Sequence, residues 1–197
     1  MPHAIIVLMV KAEVVADNTA GWRDVVFWRD LLLYFFAFAY AGHFVEMGWT
    51  WFAHLVFGRE LNTNILANAF EPYPIYGTGA VLIILVVRPL VKKFKRNIVM
   101  TFVVATLACA VLECLSSILL VWQYGHNPYW WYADQPLNFY GHICLTNSLL
   151  FGLLATVFLR VIYPLTQKIL RRGNQMVINI VLVVLAGMFA AYHLIAS

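Results

Sequence analysis

The chain has 197 residues, of which 63% are hydrophobic, 16% aromatic and only 11% charged, and its mean hydropathy is +0.80. So few charges cannot clothe a water-soluble globule of this length, and most of the surface must therefore meet lipid. The formal net charge of +4 gathers in two short clusters instead of a stripe, which reads as topology information and argues against a nucleic-acid partner.

Residues 1–30 form an expected N-terminal cytoplasmic or interfacial segment. His3–Val10 is too short an apolar run, with no basic region before it, to serve as a cleavable signal peptide. Val10–Arg29 mixes charge with Trp22, Phe27 and Trp28, as an interfacial helix would. Residues 31–197 then read as an all-α transmembrane domain, a polytopic bundle of five spans. About 20 apolar residues at 1.5 Å rise cross the hydrocarbon core, which selects Leu31–Phe57, Ile75–Val91, Ile98–Trp122, Phe139–Tyr163 and Met176–Ile195. The basic clusters Lys92–Arg96 and Lys168–Arg172 fall after the second and fourth spans. Positive loops stay inside, so the expected topology is N-inside/C-outside in the inner (cell) membrane. The outward connections are Gly58–Pro74 and Gln123–Asn138, the second carrying an aromatic belt of Trp122, Tyr124 and Tyr129–Tyr132. Cys109, Cys114 and Cys144 lie in apolar segments without metal-type pairing and read as buried free thiols.

The two hairpins resemble each other: Glu46, Tyr76-Gly77, Pro89-Leu90 and a basic cluster in one, Glu113, Tyr140-Gly141, Pro164-Leu165 and a basic cluster in the other. A parallel repeat would give this pattern, and so would topology alone, since every such hairpin ends in inside-facing cations.

Chemistry concentrates on ionisable groups within the spans, which are functional by default because burying them in lipid costs several kcal/mol. Glu46 and Glu113 both fall about 13–17 Å below the outer boundary at 1.5 Å per residue. His43 shares a helix face with Glu46, Ser116 and Ser117 follow Glu113 within a turn, and His142, Asn147 and Ser148 are placed on the fourth span. These residues are expected to converge on one substrate- or ion-binding site opening to the outer face, with Trp130, Tyr132 and Asn138 at its rim. The alternatives are interhelical glue, or a transition-metal site built from His43, Glu46, Glu113 and His142. No His-x-x-x-His or cysteine pair supports a metal, and neither metal nor cofactor is expected. No nucleotide-binding loop, serine elbow or zincin helix is present.

The run from Trp130 to Gly152, with Pro74-Ile75-Tyr76-Gly77 and Glu113 ahead of it, resembles the bacterial ABC-transporter type IV permease family. That family shows Trp-Asp-Tyr-Ser, Pro-x-Asn, Gly-Arg-Ile-Cys-Leu and Ser-x-x-Trp-Gly. Trp130, Tyr132, Pro136, Asn138, Gly141, Ile143, Cys144, Leu145, Ser148 and Gly152 match it. Trp131 replaces the acidic residue, His142 the arginine and Phe151 the tryptophan. The resemblance implies transport and an ATPase partner. The expectation is thus a transporter-like or permease-like membrane protein that meets lipid, takes a small molecule or ion, and assembles as a homo-oligomer. The rival classes are a membrane-embedded enzyme acting on a lipid-linked substrate and a non-catalytic accessory subunit.

Overall fold

A computed structural model describes residues 24–58, 60–61, 71–94 and 97–196. Most of the N-terminal segment 1–30, and residues 10–23 of the interfacial helix expected over Val10–Arg29, lie outside the described residues, while Val25–Arg29 form the start of the first long helix. Among the described residues five helices are long and apolar enough to cross a membrane: Val25–Val56, Pro74–Lys93, Ile98–Tyr124, Leu145–Arg172 and Gln175–Ile195. Their outward side chains are apolar, for example Leu107 (62% exposed), Leu119 (63%) and Val183 (70%). Leucine and valine on the outside are the pattern expected where the solvent is lipid.

The chain divides into two compact units. One comprises residues 20–81 and 172–197, and holds α1 (Val25–Phe57), most of α2 (Pro74–Leu82) and α7 (Gln175–Ala196). Here α1 packs on α7, with Phe35 and Phe36 ringed against Phe189 at 5.7 and 5.4 Å. Arg29 staples the same pair, bonding Asp30 at 2.6 Å and Gln175 at 2.6 Å. Glycines let α1 and α2 approach closely, as small residues do in membranes: a Cβ on Gly77 would stand 2.5 Å from the Phe35 carbonyl oxygen, and one on Gly42 2.5 Å from the Tyr76 ring.

The other unit covers residues 82–171 among those described, and contains α3 (Arg88–Lys93), α4 (Ile98–Tyr124), α5 (Leu145–Val157) and α6 (Tyr163–Arg172, whose last residue falls in the first unit). The α4–α5 contact dominates it. Gly152 makes that contact possible, because a Cβ there would fall 1.8 Å from Thr106 Oγ1. Asn97 caps α4, its side chain accepting from Val99 and Met100.

Spans two and four are each interrupted by one wide π turn, Ile83–Val87 and Phe158–Ile162. Their closing amides, Arg88 and Tyr163, reach back five residues to Ile83 and Phe158. In both cases a proline comes next, Pro89 and Pro164. Proline has no N–H to give and its ring crowds the carbonyl four residues back, here Leu85 and Arg160, so the helix widens around it.

Three expected boundaries differ: the first span starts at Val25 instead of Leu31, and the fourth ends at Arg172 instead of Tyr163 and starts later than expected. The fourth span does not start at Phe139: the helix starts at Leu145, and Asn138–Phe139 pairs antiparallel with Ile143–Cys144 as β1 and β2. The turn between them carries Tyr140 (φ 50°) and Gly141 (φ 77°) in the left-handed region. An apolar run therefore looked helical where its backbone forms a tight turn, with Gly141 also lying so close under Trp131 that a Cβ would meet the indole at 2.6 Å.

Candidate functional site

Glu113 sits on α4 and is 4% exposed. Its carboxylate oxygen Oε1 accepts the Tyr132 hydroxyl at 2.9 Å, and the amide of Asn147, in the first turn of α5, donates to that same hydroxyl. The connection between α4 and α5 thus sends a side chain back to the interior of α4. Burial, followed by the negative charge of Glu113, pushes the Tyr132 hydroxyl above the ordinary tyrosine range. It therefore stays protonated and remains a donor to the carboxylate.

One turn along α4 a second cluster begins. Ser117, fully buried, lies 2.9 Å from His142 Nδ1 and accepts the Asn127 amide at 2.9 Å. Asn127 Oδ1 in turn accepts the backbone amides of Tyr129 and Trp130, and Trp130 Nε1 donates to the His142 carbonyl at 3.2 Å. The Ser117–His142 pair is fully buried on the serine side. Its role is to lock the connection onto α4.

In the other unit, Glu46 Oε1 accepts the Tyr76 hydroxyl at 2.5 Å. His43, one turn before it, is 1% exposed. Its ring stacks on Tyr73 at 5.8 Å, and among the described residues neither ring nitrogen finds a hydrogen-bond partner.

The structure thus brings Glu113, Tyr132, Asn147 and, a turn away, His142 and Trp130 into one unit, and places Glu46 and His43 in the other. His142 belongs to the β1–β2 hairpin instead of the fourth helix, for the reason given above. Ser117 takes the polar role on α4 that Ser116 shared in the sequence reading. Ser148 is buried. Asn138 braces the hairpin, donating to the Gln135 carbonyl at 2.7 Å and accepting the Gly141 amide at 3.0 Å. Among the described residues no group of three or more His, Cys, Asp and Glu is close enough to hold a metal ion. Asn127 and Tyr76 are the polar partners that the sequence reading passed over. Asn127-Pro128 reads as a turn signal, and Tyr76 read only as a repeat marker.

A family model described as Putative ABC-transporter type IV matches residues 33–196. The chain belongs to that family. Neither the curated proteins nor the solved structures contain a match to it. Two of the three positions at which the chain departs from the family pattern quoted above touch each other: the Trp131 and His142 rings meet edge to face at 5.3 Å and 81°. Where the pattern has opposite charges, this member has an aromatic contact.

Proposed function

We propose that the chain is the permease-like membrane subunit of a transport system, with Glu113 as the solute- or ion-binding group and Tyr132, Asn147 and His142 as its polar partners. Glu46 with Tyr76 and His43 would be a separate protonatable group of the other unit. The observation that carries this reading is the Asn147–Tyr132–Glu113 chain, a carboxylate inside an apolar helix reached by a side chain from the connecting segment. An ionisable group in that setting marks a substrate, ion or proton path more often than a structural prop.

Two features support it. The family name points to transport and, with it, to an ATPase partner. The π turns in spans two and four are helix irregularities of the kind that gather at functional sites and allow a helix to bend. The basic loops would face the cytoplasm and the 125–144 connection the outside.

The test is accessibility. In proteoliposomes of a variant lacking Cys109, Cys114 and Cys144, a cysteine at Asn147 should react with a membrane-impermeant maleimide from either face, because a transport site opens alternately to both. Labelling from one face only would remove the transport reading in favour of an enzyme or accessory subunit.

A further inference from the structure

Residues 82–171 hold eight of the thirteen lysines and arginines but only two of the nine acidic residues, Glu113 and Asp134. Both acidic residues lie far along the chain from the end that carries the cations. Most of these cations are lysines and arginines in loops or last turns, as topology alone would place them. Arg88 and Arg160 are different.

Both sit inside helices, at the two π turns. Arg160 lies within the turn Phe158–Ile162, and Arg88 is the first residue after the turn Ile83–Val87. The Arg88 guanidinium lies 5.0 Å over the ring of Tyr163, itself 3% exposed. Arg160, three residues before Tyr163, reaches Thr101 Oγ1 in the first turn of α4 at 3.4 Å. Arg88 thus approaches the fourth span at Tyr163, one turn from where Arg160 leaves that span to reach the third.

Their depth matters. The fourth span runs 28 residues from Leu145 to Arg172, whereas about 20 cross the hydrocarbon. Counted from Leu145, the polar boundary falls near Tyr163–Pro164. That puts the Arg160 backbone about one turn inside the hydrocarbon edge, with Arg88 beside it against Tyr163, a depth from which long arginine side chains snorkel up to the head-group phosphates. Beyond the boundary, α6 turns Leu165 (48%) and Ile169 (66%) outward on the same stretch that carries Lys168 and Arg171. Apolar side chains for acyl tails beside cations for head groups suit an anionic membrane surface.

We propose that Arg88 and Arg160 hold the phosphate of an anionic phospholipid head group, with Lys92 and Lys168 at its rim. Arginine suits this because its planar fork takes two phosphate oxygens at once, which the point charge of lysine cannot do. Tyr163 and Thr101 fix the two forks.

The test compares thermal unfolding of the detergent-purified protein with added phosphatidylglycerol, phosphatidylcholine or inorganic phosphate, alongside native mass spectrometry of retained lipid. Phosphatidylglycerol should raise Tm more than phosphatidylcholine and remain bound. R88Q/R160Q should lose that excess shift and the bound lipid while K92Q/K168Q keeps most of both. R88K/R160K, which preserves charge and is the fallback if the glutamine pair does not fold, should also lose most of the preference. Three results would overturn the proposal: an excess shift that survives in R88K/R160K or R88Q/R160Q, one lost equally in K92Q/K168Q as for a diffuse field, or one reproduced by inorganic phosphate.

Discussion

Glu113 and Glu46 both lie inside apolar helices and both accept a tyrosine hydroxyl, Tyr132 at 2.9 Å and Tyr76 at 2.5 Å. Beyond that first bond they diverge. Tyr132 is itself held by Asn147, and the segment that carries it is pinned through Asn127, Ser117 and His142. Tyr76 sits on α2, held against α1 by the close approaches at Gly42 and Gly77. One carboxylate is thus positioned by a hydrogen-bonded chain and the other by helix packing. Linked buried hydrogen bonds polarise and strengthen one another, so Glu113 Oε1 is held more firmly in place than a carboxylate with one such bond.

That contrast can be broken at its packing end first. Gly152→Ala adds a methyl group where Thr106 Oγ1 stands 1.8 Å away, so α4 and α5 must part. The expected cost is about 1–3 kcal/mol, typical of overpacking, read as a fall in Tm in detergent. Gly48→Ala, whose Cβ would meet nothing within 4 Å, should leave Tm unchanged or slightly raised. Equal effects from the two would mean that the α4–α5 contact is not as close as described.

The Trp131–His142 contact offers a sharper probe. Restoring the family's charges one at a time, Trp131→Asp or His142→Arg, breaks the ring pair, and His142→Arg also removes the Nδ1 partner of Ser117. The double change restores both. Each single variant should be less stable than the pair, with a coupling of about 0.5–3 kcal/mol in a double-mutant cycle, the range for residues in contact. Additive effects would show that the two positions are independent.

The smallest expected difference lies between the tyrosines. Tyr132→Phe breaks the bonds to both Glu113 and Asn147, while Tyr76→Phe breaks one. Interhelical hydrogen bonds in membranes contribute about 0.6 kcal/mol on average and up to about 2, so the Tyr132 variant should lose roughly twice as much. A larger loss at Tyr76 would reverse the assignment of the more organised site.

Much of the fold was legible in the sequence, because hydropathy and length are what a bilayer selects on. The five spans match the expected ones to within a few residues, except at the ends of the first and fourth. The fourth began late because an apolar stretch, Phe139–Cys144, carries a hairpin whose only warning is Gly141. Glu113 was visible as a charge in an apolar run, whereas its partners were harder to see. Tyr132 looked like one more aromatic in an interfacial belt. Only the backbone path of residues 125–144, set by Asn127 and the positive φ of Gly125, turns it toward α4. A donor supplied by an irregular segment leaves no periodic trace.

The measurement that bears most directly on the central claim pairs Glu113→Gln with Glu46→Gln, each assayed for cellular complementation and for Tm in detergent. The amide introduced by Glu113→Gln preserves shape and can still accept from Tyr132, but it neither carries charge nor releases a proton. If Glu113 is the working group, the Glu113→Gln protein should be folded, membrane-inserted and inactive, with Tm close to that of the native chain and a larger loss of activity than Glu46→Gln. A stable, fully active Glu113→Gln protein would contradict the account and leave the carboxylate as interhelical glue.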